Sequence, residues 1–285
     1  MSGPIPVAGA VRVGRLELGY SAVGIGTHVI LLHSGGLSSR QWGRFAEELA
    51  GGYRVVSPDF LGYGRSSPWP QDEEFHFILD ALAIEALLDS IPEPVHLVGH
   101  SYGGFIALLV ALHRPALVRS LAVFEPVAFG VLHSRRDPPG LSSLEAAGIE
   151  SSLMDPRTGG QEPWLRAFVD YWSGEGAWER LSEAARASFR AAGWKVFGEV
   201  RSLLLDRTPH QAYAMLSVPT LLLCGETSPI AARRVVALLA EAIPGARART
   251  VAGAGHMGPL THAAQVNGWI ADHLAGAGPG GRLNA

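Results

Sequence analysis

The strongest constraint on how this chain folds is the segment Gly99–Gly103, which reads Gly-His-Ser-Tyr-Gly around Ser101. It matches G-x-S-x-G and lies between the apolar run Val95–His100, a predicted strand, and the apolar run Phe105–Leu112, a predicted helix. The same letters also occur in glycine-rich helix starts with a capping serine, but the flanking strand and helix favour a sharp turn. On such a turn the serine hydroxyl projects into a pocket and can act as a nucleophile.

The apolar runs before this segment predict an α/β fold. His28–His33, Arg54–Asp59 and Val95–His100 are short and mainly apolar, as expected for central strands covered on both faces. Ser39–Ala50 and Glu73–Asp89 place Leu and Ala at helical spacing between them. Strands alternating with helices predict βαβ units around a mostly parallel sheet with helices on both faces.

A long interruption of this rhythm predicts an inserted lobe. Leu117–Glu125 is a further strand pattern, and the next one is Thr220–Glu226. Between them only helical patterns occur, separated by turn signals such as the Asp-Pro-Pro-Gly that begins at Asp137. After them the chain returns to a predicted helix, strand and helix at Ile230–Ile243, Ala246–Val251 and Thr261–Leu274.

These patterns divide the chain of 285 residues into a core and a lobe. Residues 11–126 and 217–275 are predicted to form the α/β core, and residues 127–216 a helical cap. Residues 1–10, with two prolines and two glycines, and residues 276–285 are predicted to be loose termini.

Composition excludes several classes of function. The 23 basic and 26 acidic residues are spread along the chain, so no nucleic-acid partner is expected. The single cysteine, Cys224, rules out an internal disulfide and fits a cytoplasmic protein. Met1–Ala10 has neither the basic segment nor the apolar run of a signal peptide or a membrane span, so no membrane association is expected.

A second glycine-rich segment, His33-Ser34-Gly35-Gly36, follows the predicted strand His28–His33. A turn there can aim backbone N–H groups at the pocket of Ser101 and form an oxyanion hole, in which each donor contributes roughly 3 kcal/mol. The amides of Gly35 and Tyr102 are the predicted donors. The alternative is a flexible strand exit without a chemical role.

His256 is the candidate general base. It lies in the glycine-flanked loop Gly253–Gly258 after the last predicted strand, and a base in that place follows its nucleophile in chain order. The chain has eleven histidines. His33 and His100 also border the predicted site, but they flank backbone features.

Together with a fourth motif, these segments resemble a known family. Asp59–Ser66 reads Asp-Phe-Leu-Gly-Tyr-Gly-Arg-Ser and looks like the Asp-x-x-Gly-x-Gly-x-Ser loop of the α/β hydrolases. Over residues 12–274 the chain resembles the cap-bearing bacterial members related to esterases, haloalkane dehalogenases and meta-cleavage-product hydrolases. The resemblance implies an eight-stranded, mostly parallel sheet with an inserted helical cap over the nucleophile.

The chain departs from this family at the acid that orients the histidine. Ser228 stands where the usual aspartate would be, and a hydroxyl cannot hold charge against an imidazolium; Ser228 instead suits a helix N-cap. Glu125, at the end of the preceding strand, is the first candidate, an arrangement that resembles some haloalkane dehalogenases. Glu226 is the alternative acid, and Asp59 is a weaker one because its strand lies on the other side of the nucleophile strand.

The aromatic residues of the predicted cap favour an apolar or aromatic substrate group. Four of the seven tryptophans fall between residues 127 and 216, and in the resembling family inward cap residues line the pocket. The candidate substrate-binding residues are His33, Ser34, Trp164, Phe168 and Trp172.

The predicted function is a serine hydrolase that acts on a small carboxylic ester through an acyl-enzyme on Ser101, with His256 as base and Glu125 orienting it. A nucleophilic serine excludes the dehalogenase and epoxide-hydrolase reactions, which the family performs with an aspartate. Carbon-carbon bond hydrolases, lactonases and cofactor-free lyases or cyclases are alternatives on the same machinery. A ligand-binding or sensor protein without turnover is the alternative outside enzymes. No cofactor and no metal are expected, because no metal-ligand spacing or phosphate-binding loop is present.

Overall fold

A computed structural model describes residues 6–71, 73–147 and 153–277. In this part of the chain eight strands form a single sheet in the order β1-β2-β4-β3-β5-β6-β7-β8. Strand β2 runs antiparallel to both β1 and β4, and all other neighbours are parallel. The strands are β1 (Val7–Val13), β2 (Leu16–Val23), β3 (Thr27–Leu32), β4 (Tyr53–Pro58), β5 (Val95–His100), β6 (Val118–Phe124), β7 (Thr220–Gly225) and β8 (Arg247–Val251).

The predicted α/β class is confirmed, and the six predicted strands begin and end within one residue of their predicted bounds. Every residue of β5 and β7 is buried, as the unbroken apolar runs require of central strands. The carboxyl ends of these parallel strands meet at one edge of the sheet. Residues that follow β3, β5, β6 and β8 are thereby brought together.

The N-terminus corrects the prediction of a loose arm over residues 1–10. Val7–Ala10 belong to β1, whose residues pair antiparallel with β2 in register from Val7 opposite Ala22. Much of β1 is exposed and only Val11 and Val13 pack partly against the core, so the apolar pattern there is weak and the backbone pairing with β2 is its main contact. Residues 1–5 lie outside the described part. At the other terminus the last helix extends to Gly276, and residues 278–285 are not described.

Helices cover both faces of the sheet. They are α1 (Gly43–Leu49), α2 (Ile78–Asp89), α3 (Tyr102–His113), α4 (Gly130–Arg135), α5 (Pro138–Ala146), α6 (Glu162–Ser173), α7 (Ala177–Arg180), α8 (Glu183–Ala191), α9 (Gly193–Leu205), α10 (Ile230–Ala242), α11 (Gly258–Thr261) and α12 (Ala263–Gly276). Helix α2 begins later than predicted because the carbonyl of Glu73 accepts hydrogen bonds from the indoles of Trp69 and Trp194, which hold the preceding loop. None of the described helices is both long and apolar enough to cross a membrane.

Helices α4 to α9 all lie between β6 and β7, and the described residues of this segment contain no strand. Its apolar side chains, Trp178 and Phe197 among them, belong to the same buried cluster as Phe105 of α3. A separate cluster on the opposite face packs α1 and α12 against the sheet. The inserted segment therefore stacks on the side of the sheet that carries α3 and extends its core.

Candidate active site

Ser101 occupies the turn between β5 and α3 with a strained backbone. Its φ of 55° and ψ of −117° are unusual for a residue with a side chain. A Cβ on Gly99 would lie 2.4 Å from the carbonyl oxygen of Gly103, and one on Gly103 would lie 2.5 Å from that of Leu32. Glycine at both flanking positions therefore lets the first turn of α3 approach the sheet closely.

The imidazole of His256 joins Ser101 to Glu125. His256 Nε2 lies 2.9 Å from Ser101 Oγ, and His256 Nδ1 lies 2.6 Å from Glu125 Oε2. The second carboxylate oxygen, Glu125 Oε1, accepts a hydrogen bond of 2.6 Å from the amide of Gly225. Because a carboxylate can only accept, His256 Nδ1 carries the proton and Nε2 is free to receive one from the serine.

Glu125 reaches His256 from the end of the strand next to β5. It follows β6 with a φ of 45°, and its own amide donates to the carbonyl of Leu223 on β7. Its side chain is fully buried. This backbone turn directs the glutamate across the edge of the sheet toward the loop after β8.

Glu226 and Ser228 have other surroundings. Glu226 Oε2 accepts a 2.8 Å hydrogen bond from the exposed amide of Gly253, whereas His256 Nδ1 pairs with Glu125. The prediction that Ser228 is a helix N-cap is wrong, because Pro229 takes the N-cap position of α10. Within the described residues the buried hydroxyl of Ser228 has no hydrogen-bond partner. Asp59 accepts hydrogen bonds from the amides of Ser39 and Arg65 and thus connects two loops.

Gly35 and Tyr102 lie beside Ser101 on the wall of one cavity. A Cβ on Gly35 would stand 3.7 Å from that of Tyr102, so the loop after β3 and the start of α3 are in contact. Two adjoining segments beside Ser101 are where backbone amides would have to lie to stabilise a developing oxyanion.

A chain of hydrogen bonds ties the three loops of the site together. The side-chain amide of Gln41 donates to His100 Nδ1 at 3.0 Å, and its oxygen accepts from the amide of Ser34 at 2.9 Å. His100 Nε2 in turn donates to the carbonyl of His256 at 2.8 Å. Burial, followed by the nearby charge of His256, lowers the pKa of His100 well below 6.5, so the ring is neutral and keeps this donor and acceptor arrangement.

The cavity beside Ser101 is narrow, with a volume of about 30 Å³. Of the predicted substrate-binding residues, Phe168 and Trp172 line it. The rest of its wall consists of Gly35, Ser101, Tyr102, Val127, Phe129, Leu153, Tyr171, Glu199, Val200, Leu203 and Leu204. The inserted segment thus supplies most of a wall that is apolar apart from Ser101, Glu199 and the tyrosine hydroxyls.

His33, Ser34 and Trp164 do not line this cavity, which corrects their interpretation as substrate contacts. The ring of His33 is fully buried: Nδ1 donates to the carbonyl of Ser34 and Nε2 accepts from the amide of Phe60. Trp164 donates to the carbonyl of Leu153 and stacks on Phe168. These side chains support the wall from behind, where their own backbone partners hold them.

A buried ionic cluster behind the cavity is absent from the sequence-based prediction. Lys195 Nζ lies 2.6 Å from Glu199 Oε1 and 2.9 Å from Asp80 Oδ2. The hydroxyl of Tyr63 donates to Glu199 Oε2, and that of Tyr102 donates to Asp80. Burial, partly offset by Lys195, raises the pKa of Glu199 to about 7. The sequence offers one signal for this cluster: Lys195 and Glu199 are of opposite charge and lie four residues apart in α9, a mainly apolar helix.

Trp172 separates the cavity from a larger cleft outside it. Its ring stacks on that of His256 with 4.0 Å between centroids, and the residue lines both spaces. The outer cleft has a volume of about 1170 Å³. Among the described residues no group of three or more His, Cys, Asp or Glu side chains is arranged to hold a metal ion.

The sheet order, the strand-turn-helix around Ser101 and the row of hydroxyl, imidazole and carboxylate define the class of α/β hydrolases. Sequence comparison agrees, because a profile of the Alpha/beta hydrolase family matches residues 29–269. The chain belongs to this family.

Its relatives have several activities. A 2-hydroxy-6-oxononadienedioate/2-hydroxy-6-oxononatrienedioate hydrolase of Paraburkholderia xenovorans is 25% identical over 92% of each chain. A pimeloyl-[acyl-carrier protein] methyl ester esterase of Klebsiella pneumoniae is 27% identical over 80% of this chain and 86% of the esterase. Among solved structures, the enol-lactonase of Burkholderia xenovorans superposes with a TM-score of 0.71 at 19% identity, covering 94% of this chain and all (100%) of the lactonase.

Proposed function

We propose that this protein is a serine hydrolase that cleaves small carboxylic esters through an acyl-enzyme on Ser101. The observation that carries the proposal is the continuous contact from Ser101 through His256 to the buried carboxylate of Glu125, at 2.9 and 2.6 Å. Activation of a serine requires a base within hydrogen-bond reach, itself oriented by a third group. An esterase among the relatives supports the same reading.

In the first half of the proposed reaction, His256 Nε2 takes the proton of Ser101 as Oγ attacks the ester carbonyl carbon. The amides of Gly35 and Tyr102 hold the oxyanion of the tetrahedral intermediate, and Glu125 stabilises the imidazolium. The intermediate collapses when His256 returns the proton to the alkoxide, which leaves as the alcohol. In the second half His256 deprotonates water, which attacks the acyl carbonyl carbon; the bond to Ser101 Oγ then breaks, the carboxylic acid leaves, and His256 returns the proton to Oγ.

We further propose that residues 127–216 act as a cap over this site. The cavity beside Ser101 has room for only one or a few waters at about 30 Å³. An ester group therefore enters only when helices of the inserted segment move away from the core. The apolar wall favours an acyl group of low polarity.

Carbon-carbon bond hydrolysis is the second candidate. The Paraburkholderia relative, whose name describes a dioate substrate, aligns over most of the chain. Against it stands the wall of the cavity: in the described residues no arginine or lysine lines it, and such a cation would be needed to bind a buried carboxylate. We therefore place the ester reaction first.

Active-site labelling tests whether the protein is an enzyme at all. A fluorophosphonate probe is expected to label the protein on Ser101 and to leave the variant Ser101→Ala unlabelled, because only an activated serine displaces fluoride from phosphorus. Intact-mass measurement detects the adduct. A folded protein without an adduct at Ser101 would overturn the enzyme assignment and favour a ligand-binding protein.

Substrate class is tested next with chromogenic aryl esters, lactones and vinylogous diketones assayed side by side. Turnover is expected to be highest with esters. A kcat/KM for the diketones more than about tenfold above that for every ester would reverse the order of the two candidates.

A further inference from the structure

Glu199 is the one residue with a charged side chain among the described residues that line the cavity beside Ser101. The ester reaction outlined above gives Glu199 no role. We propose that Glu199 is a specificity-determining residue that binds a hydroxyl group on the acyl part of the substrate, so that hydroxyacyl esters are preferred. This inference rests on the proposed ester hydrolysis and names its substrate class.

The position of Glu199 determines which part of a substrate it meets. A Cβ added to Gly35 would lie 2.6 Å from Glu199 Oε2, so the carboxylate faces the glycine whose amide is assigned to the oxyanion. An acyl carbonyl held between Gly35 and Tyr102 places its first carbon atoms next to this carboxylate. A hydroxyl close to the carbonyl is therefore within reach, and one at the far end of a long chain is not.

The neighbours of Glu199 hold its carboxylate in place and leave it able to accept. Oε1 receives a hydrogen bond from Lys195 and Oε2 receives one from Tyr63 at 2.9 Å. Two carboxylate oxygens have about four lone-pair positions in all, so each can accept a further hydrogen bond. In a cavity with mainly apolar walls an acyl hydroxyl can supply that hydrogen bond, whereas a plain alkyl chain cannot.

The same cluster disfavours an acyl group that ends in a carboxylate. Lys195 does not line the cavity; it lies between Glu199 and Asp80 and over the ring of Phe75, with 3.8 Å from Nζ to the ring centroid. Above its pKa of about 7 Glu199 brings a negative charge to the wall of the cavity, and the charge of Lys195 lies behind that wall. A substrate carboxylate would meet like charge and no accessible cation.

The test compares kcat/KM for the p-nitrophenyl esters of butyrate, 2-hydroxybutyrate, 3-hydroxybutyrate and succinate. We expect at least one hydroxybutyrate to exceed butyrate by about tenfold or more, and the succinate monoester to fall about tenfold below it. In Glu199→Gln the hydroxyl preference should shrink to about threefold or less, and the succinate ester should recover, because the charge is gone. Glu162→Gln, an exposed glutamate on α6, is the matched control and should keep both ratios.

A second variant covers the case in which Glu199→Gln does not fold. Glu199→Leu combined with Lys195→Met and Asp80→Asn removes the lysine together with both of its carboxylate partners, and an asparagine at position 80 can still accept from the amide of Leu61 and donate to the hydroxyl of Tyr102. This variant is also expected to lose the hydroxyl preference.

The outcomes separate the two proposals. Equal rates on butyrate and both hydroxybutyrates, or a hydroxyl preference unchanged in the Glu199 variants, overturn the role of Glu199 and leave ester hydrolysis standing. If no ester is cleaved and Ser101 takes no fluorophosphonate, the proposed function fails and this inference fails with it.

Discussion

Glu125 is the residue at which this chain departs most from the pattern of the family it resembles. The usual position holds Ser228, and the structure instead brings the carboxylate of Glu125 to His256 from the adjacent strand end. Two features make this geometry work: a positive φ at Glu125, and the amide of Gly225, which occupies the second carboxylate oxygen. Both carboxylate oxygens of Glu125 are thus held by hydrogen bonds.

Glu125→Gln is expected to lower kcat on a chromogenic ester by about 10³- to 10⁴-fold. Glutamine can keep the contact with the Gly225 amide only if its NH₂ faces His256, and this donor favours the tautomer that cannot accept the serine proton. Circular dichroism checks that the variant is folded. Glu226→Gln is the control, and its kcat should stay within about threefold of the parent value, since its carboxylate contacts Gly253. Full activity in Glu125→Gln would show the assignment to be wrong.

At the scale of elements, the end of α6 lies between the outer cleft and the cavity. Trp172 stacks on His256, and Tyr171 packs edge-on against Trp172. Both residues line the cleft and the cavity. We therefore expect the tryptophan ring to be a barrier that a substrate passes or displaces.

Trp172→Ala is expected to raise the ratio of kcat/KM for a naphthyl ester to that for a small phenyl ester by about threefold or more. Removing the ring widens the passage, which matters most for the larger substrate. Trp194→Ala, another tryptophan of the inserted segment that does not line the cavity, should leave the ratio unchanged. An equal change for both esters in Trp172→Ala would indicate a role in holding His256 instead.

For the whole molecule, buried neutral histidines dominate the response to acid. Burial lowers the pKa of His33 to about 4, that of His96 to about 4, and that of His100 well below 6.5. As pH falls, these histidines are protonated first in the unfolded chain, near pH 6.5, and this stabilises the unfolded state. Their contribution to the free energy of unfolding is therefore full above pH 6.5 and is lost as pH falls below it. For His33 and His96 the loss in the free energy of unfolding amounts to about 3 kcal/mol each at pH 4.

Glu199 acts in the opposite direction. Because its pKa is raised to about 7, Glu199 is protonated in the folded protein at a higher pH than in the unfolded chain. Its contribution to the free energy of unfolding therefore increases as pH falls from about 7 to 4.5. Four buried histidines, including His273, whose pKa burial also lowers, outweigh one glutamate, and the free energy of unfolding should decrease between pH 6.5 and 4.5. Urea unfolding at half-unit steps of pH measures it, and His96→Asn should flatten the curve because it cannot be protonated. A stability that rises on acidification would contradict this balance.

Much of the fold could be predicted from the sequence because its signals are local. The strands β3 to β8 are short apolar runs between turn signals, and burial on both faces leaves little freedom in where they end. The strands β1 and β2 were missed, since β1 is exposed and its pairing with β2 leaves no pattern along the chain. Candidate site residues at strand ends, such as Ser101, Glu125 and His256, could be named because parallel strands end at one edge of a sheet.

The wall of the cavity was decided by tertiary structure. Phe168 and Trp164 lie one turn apart on the same face of α6 and their rings stack, yet only Phe168 lines the cavity, because the position of α6 along the cavity determines which of its turns reaches it. Glu199 meets Gly35 across more than 160 residues of chain, a contact that exists only once α9 packs over the loop after β3. The sequence by itself determined the strands β3 to β8 and the residues that follow them at the edge of the sheet, through local burial patterns. Which side chains close over Ser101 depended on how separate helices pack, and no local pattern encodes that.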